Sequence, residues 1–271
     1  MQERRSIEIL CPACKKGCLP PTLVFAGKVK CADCDASFET KNGVIDLLPT
    51  FSPRRSRAQA LMEWEPIIRI YESRWWRRSS LFAVFTGIPF DREYEVIAQV
   101  AKLEGDEVML DLACGPGIYS RPFAQKLSRG YIVGLDLSEP MLDYASSRAR
   151  DQGLDNLLFI HGNAQELPFP DNEFDVVNCC GAIHLFPDLP RALSEIRRVL
   201  KPGGCFTTAA FRNWLPGESS KKFSKWYFQR VGIYHFRPDE LEALLKQAGL
   251  NNVECHHAKR YWLIMSAVKP M

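Results

Sequence analysis

From residue 91 onward the apolar positions of the chain switch repeatedly between two spacings. Tyr94, Val96, Ile97, Val100 and Leu103 recur at helical intervals, and Gly105 ends that run. Val108, Met109, Leu110 and Leu112 then make a short, nearly unbroken apolar stretch, as a strand does when both its faces are covered. The alternation continues with strands over Tyr131 to Leu135, Leu157 to Ile160, Phe174 to Cys180 and Cys205 to Phe211. Between them fall a helix from Glu139 to about Gln152 and another from Pro187 to Leu200, the latter turning Leu189, Leu193, Ile196 and Val199 inward. A helix over Pro238 to Gln247, stopped by Gly249, precedes two last strands near Asn252 to His257 and Tyr261 to Val268. Strands and helices in alternation predict an α/β fold with a mostly parallel sheet and helices on both faces.

The stretch Glu107 to Ser138 joins this pattern to chemistry. Gly115-Pro116-Gly117 follows the first strand directly, where glycine lets the backbone turn sharply and approach a ligand. The helix after it points its amino-terminal amides at the same place. Asp136 ends the next strand, 19 residues after Gly117, about where a nucleotide-binding α/β unit puts the carboxylate that accepts from ribose hydroxyls. Asp111 stands inside the turn, where it would repel a pyrophosphate and attract an ammonium group. Ser120 occupies the third glycine position.

This turn resembles motif I of class I S-adenosylmethionine-dependent methyltransferases. The likeness continues through HGNAQELPFPDNEFDVV (His161 to Val177) and RVLKPGG (Arg198 to Gly204), and covers Leu103 to Val268. A nicotinamide-binding domain is the structural relative that shares the glycine turn. The resemblance implies a Rossmann-like, seven-stranded sheet with its last strand antiparallel, and S-adenosyl-L-methionine as cofactor. The implied cofactor site comprises Asp111, Ala113, Gly115, Gly117, Asp136, Leu137, Met141, Asn163, Ala164, Cys180 and Gly181. Asn163 stands where the family usually has an acid in the adenine-reading turn, and its amide oxygen can still accept from the exocyclic amine.

Ahead of this region, Cys11-x-x-Cys14 and Cys31-x-x-Cys34 are separated by sixteen residues, the spacing of a structural four-thiolate zinc site. Six further cysteines are scattered, so the pattern points to metal rather than disulfides. The strand at Gly43 to Pro49 closes that small module. A similar ribbon precedes the methyltransferase domain in a bacterial 23S ribosomal RNA guanine methyltransferase family and in chloroplast-type methyltransferases. The expected organisation is a zinc ribbon over 1–50, a linker with capping helices over 51–104, and the cofactor-binding domain over 105–271.

Charge adds less. The net +3 does not dictate a nucleic-acid partner, no apolar run is long enough to span a membrane, and the first ten residues lack the apolar core of a signal peptide, so the cytoplasm is the expected compartment. Pro53 to Arg78 holds seven Arg against three Glu, a net of +4, interleaved with Trp64, Tyr71, Trp75 and Trp76. That stretch reads either as an RNA-contacting surface or as a helix with an apolar face and solvated arginines. Arg212 to Arg230 is rich in aromatic and basic residues and lies where the family commonly inserts a substrate lid.

His184, in the loop after the fourth strand, is the candidate general base. Tyr119, Trp75, Trp226, Tyr234 and His235 are candidate acceptor contacts. The GAIHLFPDLPRAL stretch looks like the ubiquinone-biosynthesis branch, which implies a hydrophobic or aromatic small-molecule acceptor such as a quinone or polyketide. An RNA base is the alternative acceptor, and a non-catalytic zinc-ribbon interaction protein a further one. No feature of the sequence sets an oligomeric state.

Overall fold

The computed structural model describes residues 7–20, 26–48, 66, 68, 76–214 and 217–271. The linker with Trp64, Tyr71 and Trp75 lies outside the described residues. Two short strands, β1 (Ile9–Leu10) and β2 (Cys18–Leu19), pair antiparallel across the first cysteine knuckle. They are followed by β3 (Ala26–Lys30), β4 (Ser37–Lys41) and β5 (Val44–Asp46).

Two helices come next, α1 (Ser80–Thr86) and α2 (Phe90–Val100). The side chain of Ser79 accepts from the Phe82 amide at 3.0 Å and starts α1, which Gly87 ends at φ +74°. Alternation then sets in: β6 (Val108–Leu112), α3 (Ser120–Lys126), β7 (Tyr131–Asp136), α4 (Glu139–Asp151), β8 (Leu157–His161) and β9 (Phe174–Cys180). After a 3-10 turn over Ile183–Leu185 come α5 (Leu189–Val199), β10 (Leu200–Phe211), α6 (Gly217–Val231), α7 (Pro238–Gln247), β11 (Asn251–Lys259) and β12 (Trp262–Val268).

The large sheet runs β11-β12-β10-β9-β6-β7-β8-β5-β4-β3. Its first seven members are the expected arrangement, with β12 antiparallel to both neighbours. Three more strands extend it, because β5 pairs in parallel with β8, placing Ile45 beside Ile160 and Asp46 beside His161. The amino-terminal module thus continues the sheet, and the free edge of β8 is covered by β5.

Period-two alternation assigns the strand residues to two cores. Met109, Ile132, Leu157 and Phe159 face α2, α3 and α4 with Ile97, Phe123 and Leu142. Leu110, Val133, Leu158 and Ile160 face the other way, against Leu193 and Ile196 of α5 and Leu241 and Leu245 of α7. The second core also takes in Ile9, Cys11, Leu19 and Cys31, so the cysteine module is packed into it.

A buried charge cluster ties α2 and the turn before α1 to the sheet. The Arg77 and Glu93 side chains are 2% and 0% exposed, and their nitrogen and oxygen are 2.9 Å apart. The same Glu93 oxygen accepts from the Tyr119 hydroxyl at 2.5 Å and from Trp262 Nε1 at 3.0 Å. Among the described residues no helix is long and apolar enough to cross a membrane.

Removing one member of such a pair leaves the other buried and uncompensated, which costs about 3–5 kcal/mol. Glu93→Ala is therefore expected to lower the unfolding free energy in urea by about that amount. Lys28→Ala, in a pair 59% and 66% exposed, should leave it nearly unchanged.

Candidate active site

Four loops at the carboxyl ends of β6, β7, β8 and β9 enclose one cavity, the place where open α/β sheets bind ligands. The first is the glycine turn. Ala113, Gly115 and Gly117 all have left-handed backbones, at φ +54°, +54° and +75°. A Cβ at Gly117 would sit 3.1 Å from Ala145 on α4, a tight approach, and would also be strained by the left-handed backbone there.

Asp136 lies directly across from this turn. The Gly115 amide donates to its Oδ2 at 2.7 Å and the Ser138 amide to its Oδ1 at 2.8 Å. Two amides therefore fix the carboxylate at the cavity wall, and each oxygen can accept further hydrogen bonds. Asp111 is held in a second polar network behind the turn, accepting from the Ser120 hydroxyl and, at 2.7 Å, from Asn178 Nδ2. Burial pushes its carboxyl up to about 6, partly offset by those donors. Asn178 in turn accepts from Thr207 Oγ1 at 2.9 Å and from the Cys180 thiol at 3.0 Å. Burial holds the Cys180 thiol well above its ordinary range, so it is a neutral donor and not a nucleophile.

Every residue of the implied cofactor set lines this cavity except Gly117, which shapes the turn from behind. Asn163 uses its side-chain oxygen to accept from the Gln165 amide at 3.0 Å, forming the loop that it lines. Ile118, Tyr119, Leu185, Phe186 and Pro187 also line the cavity and are mostly apolar.

The acceptor candidates are less well gathered. Tyr119 lines the cavity, but Tyr234 is bonded to Glu240, His235 packs 5.6 Å from the Phe211 ring, and Trp226 is 55% exposed on α6. Trp75 lies outside the described residues. His184 is buried away from the cavity wall, its ring 4.5 Å from that of Phe211. Burial, with smaller contributions from His235 and Arg77, pushes its pKa down to about 3, which makes it a poor proton acceptor at neutral pH.

The four thiols of Cys11, Cys14, Cys31 and Cys34 converge, with all sulfurs within 4.8 Å of one another. The Cys11–Cys34 and Cys14–Cys31 sulfur separations are 3.7 and 3.8 Å, far too long for disulfides and close to the ~3.8 Å edge of a tetrahedron with ~2.3 Å zinc–sulfur bonds. The Gly17 amide donates to Cys14 Sγ and the Asp33 amide to Cys31 Sγ, both at 3.4 Å. Donation from Gly17, then Lys16, lowers Cys14 to about 6, whereas Cys34, despite donation from the Ala36 amide, is pushed up to about 12 by burial and its cysteine neighbours. The donor set therefore fits a tetrahedral metal.

Comparison with known proteins converges on the same loops. A family model described as a methyltransferase domain matches residues 109–204. The demethylmenaquinone methyltransferase of Bacillus subtilis is 34% identical over 168 residues, covering 54% of this chain and 72% of that protein. The chain belongs to the S-adenosylmethionine-dependent methyltransferases. An uncharacterized chloroplastic methyltransferase of Arabidopsis thaliana is 26% identical over 258 residues, or 91% of this chain and 72% of that one. Other bacterial proteins named demethylmenaquinone methyltransferase are spanned over 41% to 52% of their length. A Haemonchus contortus phosphoethanolamine N-methyltransferase 2, solved with S-adenosylhomocysteine, shares the fold at a TM-score of 0.64 and 19% identity, covering 82% of this chain and 62% of that one.

In this methyltransferase the buried Asp111 carboxyl predicts a pH dependence. A cationic amino group held against Asp111 would bind the ionised carboxylate best, and burial puts that carboxyl at about 6. Affinity for S-adenosylmethionine, measured by calorimetry, should be level from pH 7.5 to about 6. It should then weaken by up to about tenfold per unit below that, and Asp111→Asn should flatten the profile.

Proposed function

We propose that this methyltransferase acts on a hydrophobic or aromatic small molecule of the quinone type, and that its four-thiolate cluster holds a structural zinc. The observation that carries the acceptor reading is the apolar share of the cavity lining, which includes Ile118, Tyr119, Leu185, Phe186 and Pro187. It agrees with relatives named for a demethylated menaquinone.

When bound, the cofactor supplies a methyl group on an electrophilic sulfonium. In this reading the chain's residues bind and align. Asp136, fixed by the amides of Gly115 and Ser138, accepts from the ribose hydroxyls. Asp111 faces the ammonium end, and its ionisation there gains from the charge beside it. The loop of Asn163 and Ala164 frames the adenine, with Leu137 and Met141 packing against the nucleoside. Cys180 and Gly181 border the place where methyl and acceptor meet, and the residues around them align the two. Among the described residues no histidine or lysine lines the cavity.

The zinc reading follows from the sulfur separations and the amide donors already described. Metal ligation would stabilise a module whose strands are only two to five residues long.

Incubation with methyl-labelled cofactor and either a prenylated 1,4-naphthohydroquinone or bacterial ribosomal RNA tests the acceptor. Label should extract with the organic phase. Label in the RNA alone would contradict the proposal. Metal analysis should find about one zinc per chain, and its absence from freshly purified protein would remove the zinc reading.

A further inference from the structure

We infer that the amino-terminal metal module is a cofactor-positioning element, acting through an Asp46–His161–Leu137 bridge. The inference rests on the cofactor site proposed above. Each loop that would hold the nucleoside is braced from outside by this module. At α4, whose Met141 lines the cavity, Ser146 Oγ donates to the Asn42 carbonyl at 2.6 Å and Asn42 Nδ2 to Asp143 at 3.1 Å. At the loop that carries Asn163, the Leu10 amide donates to the Pro168 carbonyl at 2.8 Å and Lys15 Nζ to Glu166 at 2.7 Å.

Not all of these contacts weigh equally. The Lys15–Glu166 pair is 69% and 48% exposed, so it contributes little. The bridge is different because the His161 side chain is 9% exposed and both its ring nitrogens are engaged. Nδ1 lies 2.9 Å from Asp46 Oδ1 and Nε2 lies 3.1 Å from the Leu137 carbonyl oxygen. Leu137 lines the cavity immediately after Asp136, so the ring reaches the turn that aims the ribose-binding carboxylate. The Leu47 amide donates to the His161 carbonyl at 3.0 Å, closing the seam from β5 to β8. A residue in the module therefore sets the orientation of a histidine, and the histidine sets the backbone beside Asp136.

The cysteines are the module's own anchor. Cys11 lies beside Leu10 and borders a second pocket, which shares Gly162, Asn163 and Gln165 with the cofactor cavity. One loop is thus the wall between the metal knuckle and the nucleoside.

The test is calorimetric binding of S-adenosylhomocysteine to the full chain, beside its thermal unfolding. Asp46→Ala touches no proposed cofactor contact and removes a carboxylate that is 53% exposed, so the fold should persist. It is expected to weaken S-adenosylhomocysteine roughly 5- to 10-fold, about the net worth of one ordinary hydrogen bond for a carboxylate this exposed. Asp46→Asn, which keeps an acceptor oxygen, should recover affinity to within about twofold of the parent. His161→Phe should lose at least as much as Asp46→Ala. Unchanged affinity in Asp46→Ala and His161→Phe, with only a lowered melting temperature, would overturn the inference while leaving the cofactor site standing. Failure of the unaltered chain to bind S-adenosylhomocysteine would instead remove the cofactor site, and the bridge with it.

Discussion

The short contact from the Gly115 amide to the Asp136 carboxylate is the constraint on which the rest of this structure depends. It joins the turn after β6 to the end of β7, two strands that pair in parallel from Val108 and Tyr131 to Leu112 and Leu135. A carboxylate fixed by backbone amides needs no reorganisation when a ligand arrives, and its partners cannot swing away as side chains would. The left-handed backbone at Ala113, Gly115 and Gly117 is what brings those amides within reach. Behind the turn, the Asp111–Asn178–Thr207 network spans β6, β9 and β10, so the cavity floor is tied across three strands.

Around this centre the fold separates tasks between the two faces of the sheet. One face packs α2, α3 and α4, and there the Arg77–Glu93–Tyr119–Trp262 cluster fixes the helices to the sheet beside the cavity. The other face packs α5 and α7 together with the cysteine module, whose β5 lies alongside β8. The four-thiolate cluster belongs to the module that extends this edge of the sheet, beside the loops that follow β7 and β8.

Much of this was legible in the chain. The strands of the core announce themselves as short apolar runs, because a strand covered on both faces has no polar side to show. The glycine turn, Asp136 and the paired cysteines were legible because their chemistry demands fixed spacing. What could not be read is what depends on contact between distant segments. Nothing in Val44-Ile45-Asp46 names β8 as its partner, so the sheet was expected to stop at seven strands. Glu93 reads as one more polar residue on an amphipathic helix, and only the arrival of Arg77, Tyr119 and Trp262 from three other elements makes it buried. His184 was placed correctly in the loop after β9. The 3-10 turn over Ile183–Leu185 rotates its ring into the core near Phe211, a direction that sequence position does not encode. Tyr119, Trp226, Tyr234 and His235 were all candidate acceptor contacts, and of these four described residues only Tyr119 lines the cavity.

The most direct measurement of the central claim is a crystal structure of the chain with S-adenosylhomocysteine. The account predicts ribose hydroxyls within hydrogen-bonding distance of the Asp136 carboxylate, the amino group beside Asp111 and the adenine against Asn163 and Ala164. A nucleoside bound elsewhere, or an Asp136 carboxylate turned away from the ribose, would contradict it.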